Sequence, residues 1–543
     1  MGMTGAEGPT PRGILADPPP ADGDRFDAIV IGGGILGASV VLHLAHRGCR
    51  VALLERDDFA AATSGASLRI LHGGLRYLQS LDLGRSRESA RARAWFLANF
   101  PDLCRPLPCL LPLSGRGMHR PALLGPALWL NDRISATAGQ AGAVSPGRVV
   151  SRGELARLVP GLPDAYPGGA ALWHDGWIDH PARLVVEMLR WAAGLGAACH
   201  NYMPVTAVLV DRPGQAGARV TGVRVRDRRN QRDLTLAAPL VLNCAGPWVD
   251  AVVHTVSGGG TTPESRHLFA PSFAFNLVLD RPAPAGDAAR PMALAVSLPG
   301  GGSLFLLPWR GRLLAGTDHA SWTGPVGAGA RADPSPERVA AFLGRLNRAL
   351  PSLALTTADV REVWAGFLPA AAPGSAVQSG RPLIFDHGRG GAGPTGLVSL
   401  SAVKFTTAPQ LAERAVAHLM GPTPAPLPRR HPAAPSFARP PDAAAFHQLL
   451  HHDPASARQV VTRLIREEAV WTPADLTERR TDWAACPVHG RDLADHLADS
   501  LTDRPTDHPA HHPAHHPAHH PAGWLLPPDR ADLKGEESAC GQA

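Results

Sequence analysis

Three glycines and one carboxylate carry the first chemistry in this chain. Gly32, Gly34 and Gly37 stand in G-x-G-x-x-G spacing behind the apolar run Ala28 to Ile31, and Glu55 closes a second apolar run, Val51 to Leu54. Between the runs, Ile35, Val40, Leu42 and Leu44 recur at helical spacing, with Gly48 as the helix stop. The order is strand, glycine turn, helix, strand, acid. In such a unit the first glycine makes the tight turn, the second admits a pyrophosphate, and the third lets the helix pack on the strand. The helix N-terminus turns N–H groups and partial positive charge toward the phosphates. A carboxylate at Glu55 suits ribose hydroxyls and repels a ribose 2′-phosphate, so NADP is not expected. The motif alone does not separate FAD from NAD.

Further along, Ala62 to Ser67 (ATSGAS) and Leu71 to Leu78 (LHGGLRYL) add polar and cationic groups in a short span. These runs resemble the signature of FAD-dependent glycerol-3-phosphate dehydrogenases, within the D-amino-acid-oxidase-like flavoprotein superfamily. Leu240 to Trp248, ending Ala245-Gly246-Pro247-Trp248, is similar to the superfamily's strand and corner that return to the flavin. Pro394 to Met420 is similar to the segment that closes the flavin site, and Glu467 to Thr481 to the family's small C-terminal helical domain. The resemblance spans about residues 26–420 plus that fragment.

The resemblance implies FAD as cofactor, held by Gly32, Gly34, Gly37, Glu55, Thr63, Ser64, Gly73, Gly74, Val205, Ala245, Gly246, Lys404 and Thr406. It implies Arg76 as the clamp on a substrate anion or oxygen and Lys404 as a charge beside the flavin or substrate. His72 reads equally as a flavin neighbour with a catalytic role or as a core histidine. The flavin would take the hydride and a nearby base the proton. No metal is expected. Several family features are missing. Leu368 stands where the family has the arginine of a G-V-R-P-like string. Ala270 and Phe273 stand where it tends to have a lysine and a histidine, and Ala402-Val403 replaces a glycine pair. Each lost charge-assisted contact costs ~1.5–3 kcal/mol of binding. The expected function is oxidation of a small alcohol, a polyol phosphate or a related molecule, with electrons passing to a quinone or another acceptor. A 2-hydroxy-acid or secondary-amine oxidase is one alternative, and a flavin-binding protein without turnover is the other.

The elements that must position these groups suggest an α/β fold: a Rossmann-type FAD-binding domain, an antiparallel β-sheet substrate domain and a small C-terminal helical region. The expected boundaries are a disordered arm over 1–24 and an oxidoreductase over 26–420. Its FAD-binding parts are about 26–100, 171–260 and 363–420, and its substrate domain about 101–170 and 261–362. A Pro-rich linker (422–441), helices (442–485) and a disordered His/Pro-rich tail (501–543) follow. Leu83 to Phe100 reads as a helix whose Arg85, Arg87, Arg91 and Arg93 form a solvated face or meet lipid headgroups or phosphate. Pro101 to Pro112 reads as an extended link, and His200 to Val210 as one strand. The 543 residues carry a net charge of only +6 and seven scattered cysteines. That balance does not argue for nucleic acid, and the cysteines suit a reducing compartment. Without an apolar h-region near the start or a run of about 18 apolar residues, neither a signal peptide nor a membrane span is expected. The expected location is cytoplasmic, with membrane contact, if any, peripheral on the inner face. The oligomeric state stays open.

Overall fold

The computed structural model describes residues 19–485, apart from 141–143, 161, 163–165, 258–266, 287–290, 299–301, 325, 328–332, 390–392, 423–424, 426 and 428–439. The chain opens with β1 (Ala28–Ile31), α1 (Ile35–His46) and β2 (Val51–Leu54). Then come β3 (Ile70–Leu71), α2 (Leu83–Asn99), β4 (Cys104–Pro112), α3 (Pro121–Ser135), β5 (Arg148–Val150) and α4 (Arg152–Leu158). The middle holds β6 (Ala170–Ile178), α5 (Pro181–Gly194), β7 (Ala198–His200), β8 (Val205–Val210), β9 (Val220–Asp227), β10 (Arg232–Ala237), β11 (Val241–Asn243) and α6 (Val249–Val253). The later part holds β12 (Pro271–Leu279), β13 (Ala293–Ser297), β14 (Ser303–Trp309), β15 (Arg312–Ser321), α7 (Pro336–Ala349), β16 (Val360–Pro369), β17 (Leu383–Asp386), β18 (Leu397–Ser401) and α8 (Ala408–Met420). Helices α9 (Ala443–His452) and α10 (Pro454–Glu467) follow.

One sheet runs β17-β18-β11-β1-β2-β7 and is parallel except at β17. Its central strands β1 and β2 are buried on both faces, which explains their unbroken apolar runs. Helices α1, α5 and α8 cover one face, and the β8–β10 meander covers the other. From β1 the chain crosses through α1 to β2 on one side, while β11 lies on the other. The order reverses there, and such a reversal opens a crevice at the carboxyl ends of the strands.

The larger sheet runs β16-β12-β15-β14-β13-β4-β6-β3, with β5 beside β6. On one face Phe273, Phe275 and Phe367 pack with Phe342, Leu343 and Leu346 of α7. The other face turns to the nucleotide unit. There Thr63 Oγ1 donates to the Phe367 carbonyl at 3.1 Å, and Asn276 Nδ2 donates to the Ala66 carbonyl at 3.0 Å.

Several expectations change. Pro101–Pro112 is not a link: Pro106, Pro108 and Pro112 sit inside β4, which pairs with β6 along nine positions. The single strand expected over His200–Val210 is two, because β7 joins the parallel sheet and β8 leaves it for the meander. Strands β3, β6 and β16 all join the larger sheet, although their residues fall largely within the expected FAD-binding parts. The end of the expected arm is ordered, since Gly23 N–H donates to the Thr235 carbonyl at 2.8 Å and Thr235 N–H to Asp22 at 2.7 Å. The rest of that arm, most of the linker and the His/Pro-rich tail lie outside the described residues.

The C-terminal helices dock through buried ions. Asp58, three residues past Glu55, accepts from Arg480 at 2.7 Å through both oxygens, from Arg479 at 2.5 Å and from Asn201 at 2.7 Å. Burial alone would raise its pKa, but the two arginines outweigh burial and hold it at about 2. Glu468 similarly accepts from Arg183 and Arg190 of α5. Trp483 stacks on Phe446 at 3.9 Å and closes this small core.

Candidate active site

The glycine turn leaves β1 at the crevice. Gly32 adopts φ +105°, and a β-carbon there would lie 2.6 Å from the Cys244 carbonyl oxygen, at the head of the Ala245–Gly246 corner. A methyl at Gly37 would overlap the Gly32 carbonyl oxygen, so the helix packs on the turn only with glycine. Ser64 Oγ accepts from Ile35 N–H at 3.0 Å and lies 3.0 Å from where a Gly34 β-carbon would be. Half-buried Glu55 accepts from Gly33 N–H at 2.6 Å and Asp57 N–H at 2.9 Å. Burial pushes its carboxyl up from the ordinary glutamate value, against those two hydrogen bonds. Val205 starts β8 just past Met203, whose N–H donates to the Glu55 carbonyl at 2.7 Å. Bare backbone, a helix N-terminus and a carboxylate thus meet at the carboxyl edge, a cradle that fits the dinucleotide part of FAD.

Across the crevice, the segment after Ser67 brings the other candidates. His72 Nδ1 lies 3.2 Å from Asp175 Oδ2, and the Gly73 N–H donates to Asp175 Oδ1 at 2.8 Å. Gly73 touches the Arg93 guanidinium so closely that only glycine fits, and Gly74 turns at φ +97°. Burial would raise the Asp175 carboxyl, yet the His72 hydrogen bond and charge, with Arg93, hold it below the usual aspartate value. The His72 ring also tilts against Phe305 of β14 at 5.6 Å. Lys404 follows β18 and donates from Nζ to the Tyr77 hydroxyl, with its charge 4.4 Å from the Tyr77 ring centre. Arg76 is exposed, on the same short turn as Tyr77. Thr406 is buried just before α8.

Arg93 corrects the expectation of a solvated arginine face on α2. Its side chain is 1% exposed, pairs with Asp175 at 3.6 Å, and donates to Ser135 Oγ at 2.9 Å and to the His174 carbonyl. Arg87 and Arg91 do remain exposed. Phe273 points into the α7 core, stacked on Phe275 at 5.7 Å. Leu368 lies opposite Ser272 on the face turned to the nucleotide unit. Sequence reasoning missed Asp175, the partner of both His72 and Gly73. It also missed His319 of β15, which feels the charge of Arg76 and contacts Gln378 at 3.4 Å.

Comparison with known proteins fits this geometry. A family model described as FAD dependent oxidoreductase matches residues 27–417. Glycerol-3-phosphate dehydrogenase 2 of Mycobacterium tuberculosis is 32% identical over 387 residues, 71% of this chain and 61% of that relative. Glycerol-3-phosphate dehydrogenase 1 of the same organism is 33% identical over 402 residues, 72% of each chain. The chain therefore matches less than two thirds of the longer relative. Among solved structures, the glycerol-3-phosphate dehydrogenase of Bacillus halodurans complexed with FAD superposes with a TM-score of 0.63 at 23% identity, covering 88% of this chain and 91% of its own. Among the described residues no helix is long and apolar enough to cross a membrane. By sequence match, by fold and by a glycine cradle suited to the cofactor, the chain belongs to the FAD-dependent oxidoreductase family.

Proposed function

We propose that the protein oxidises a small anionic alcohol, glycerol 3-phosphate or a related polyol phosphate, and passes the electrons to a quinone or another acceptor. One observation carries the reading. Lys404, far along the chain, meets Tyr77 on the turn that also carries Arg76, just past the His72–Asp175 pair. The relatives named as glycerol-3-phosphate dehydrogenases support it. In this reading Gly32, Gly34, Gly37 and Glu55 hold the adenosine diphosphate end of FAD, and Thr63, Ser64, Lys404 and Thr406 border the flavin end. Bound FAD supplies the hydride acceptor.

The chain's own groups do the rest. Arg76 clamps the substrate anion through its guanidinium fork. His72 donates Nδ1–H to Asp175, which leaves Nε2 free to accept the hydroxyl proton. Asp175 then stabilises the imidazolium. The Lys404 ammonium, steadied by Tyr77, stabilises negative charge developing on the substrate oxygen. We place the protein in the cytoplasm, with any membrane contact peripheral.

Leu368 on the facing strand favours a second reading, a less charged substrate such as a 2-hydroxy acid or a secondary amine. The deciding experiment follows the visible spectrum of the purified protein anaerobically. Bleaching of the flavin bands by glycerol 3-phosphate is the expected result. Bleaching only by hydroxy acids or amines selects the second reading, and bleaching by no alcohol or amine leaves a flavoprotein without turnover. A colourless protein that cannot be reconstituted with FAD overturns both.

A further inference from the structure

Three of the nitrogen-bearing side chains around the cleft are His72 and Arg76, just after β3 of the larger sheet, and Lys404, just after β18 of the parallel sheet. A fourth comes from the middle of the larger sheet. His319 of β15 lies opposite Ala274 of β12, which lies opposite Gly366 of β16. Paired positions across a sheet share one face. That face looks toward the nucleotide unit, because a β-carbon on Gly366 would lie 2.8 Å from Thr63 Oγ1. Two strand spacings set His319 about 10 Å from Gly366 along it. The next residue back, Asp318, points the other way, into α7, where Arg338 Nε donates to it at 2.8 Å and Arg345 pairs with it. Strand alternation therefore fixes the direction of the His319 side chain.

Gln378, on the segment after β16, fixes the ring. Its amide nitrogen lies 3.4 Å from His319 Nδ1 and donates to it. An imidazole that accepts at Nδ1 carries its proton on Nε2. The charged groups around the ring are Asp318 on its own strand, Arg76 from the turn after β3, and Arg338 from α7. Burial lowers the pKa of the ring below the ordinary histidine value; Asp318 opposes this, and Arg76 and Arg338 add to it. At neutral pH His319 is thus an uncharged donor within the field of the Arg76 guanidinium.

We propose that His319 and Arg76 form the anion-holding corner of the cleft, with His319 donating Nε2–H to a phosphate oxygen of the substrate. This rests on the reading that the cleft takes an anionic alcohol. It supplies from β15 a contact that Leu368 on β16 cannot make. It also makes His319 a specificity-determining residue outside the motifs that identify the family.

The test uses the FAD-loaded protein in two measurements: calorimetric titration with inorganic phosphate, and anaerobic flavin reduction by glycerol 3-phosphate. His319→Ala should raise the phosphate Kd and the substrate KM roughly tenfold. The limiting reduction rate and the FAD content should change little. His319→Gln, whose amide N–H reaches a similar distance, should restore most of the affinity. His319→Asn is polar but too short, so it should behave like alanine, and it replaces alanine if that variant does not fold. Unchanged phosphate Kd and KM in the alanine and asparagine variants would overturn the proposal, as would a wild-type protein that binds no phosphate. Wild-type phosphate binding that weakens in His319→Ala, without bleaching by glycerol 3-phosphate, would keep the corner and reject the substrate.

Discussion

Asp175→Asn changes one atom and should change the protonation of His72. Asp175 offers two acceptor oxygens, one to Gly73 N–H at 2.8 Å and one to His72 Nδ1 at 3.2 Å. Asparagine has one acceptor and one donor group. Facing the amide NH2 toward Gly73 N–H would set two donors against each other, so the oxygen stays with Gly73. The NH2 then meets His72 Nδ1 and forces it to accept, which moves the ring proton to Nε2. His72 can no longer take the substrate proton there. General-base catalysis contributes about 10²–10⁴-fold, so the limiting rate of flavin reduction should fall by at least ~100-fold. The substitution also removes the counter-charge of Arg93, which is 1% exposed, and breaking such a buried pair costs ~3 kcal/mol or more. The remaining Arg93 donations to Ser135 and the His174 carbonyl keep the loss near the low end. Arg93→Met separates the two effects, because it disturbs the ion pair and leaves His72 its acceptor. Anaerobic stopped-flow reduction, paired with urea unfolding, reads both. Asp175→Asn should lose rate and stability, and Arg93→Met mainly stability. An Asp175→Asn protein that unfolds earlier but reduces at the wild-type rate would remove His72 as the base.

Three further outcomes follow from the geometry. Gly37→Ala places a methyl on the Gly32 carbonyl oxygen and should yield protein largely without FAD, read from the ratio of flavin to protein absorbance; wild-type occupancy would refute the cradle. Arg76→Ala should raise the substrate KM by roughly 10- to 100-fold at unchanged FAD content, and an unchanged KM would refute the clamp. Asp58 has its folded pKa depressed to about 2 from 3.8, so its contribution is present above about pH 4 and lost as pH falls toward 2. That loss should be about 2 kcal/mol, seen as a falling urea midpoint in Trp fluorescence between pH 4.5 and pH 2.5. Asp58→Asn should lower stability at pH 7 and flatten that window, whereas a wild-type midpoint constant through it would contradict the ion cluster.

The nucleotide unit was legible because its signals are contiguous. Gly32, Gly34, Gly37 and Glu55 state a turn, a close approach and an acid within one crossover. Arg93 was also legible in principle. It lies three, four and seven residues from Ala90, Ser89 and Ser86, all buried, so helical spacing alone puts it on the inner face. Counting arginines along α2 hid that. Asp175 and His319 were harder, since their partners come from other elements and the register between strands is not written in either segment. The available hint was a charged or titratable residue within an otherwise buried strand, as in Trp173–Ile178 and Leu313–Ala320. The prolines of β4 pointed to a link because they remove donors, yet the strand still pairs along β6.

The ion cluster at Asp58 also bears on where this protein can be divided. The matched family region stops at residue 417, and a Pro-rich stretch follows it. On homology alone a cut near 420 looks harmless. Physically it is not, because Asp58 lies in the bend just after the strand that leads into Glu55, and both arginines that neutralise it come from beyond the cut. Trimming there would strip Asp58 of both arginines and leave it only the Asn201 amide of these side-chain partners, three residues from Glu55. The last helices are therefore an electrostatic lid on the nucleotide unit, and a piece that keeps this ion cluster must include Arg479 and Arg480.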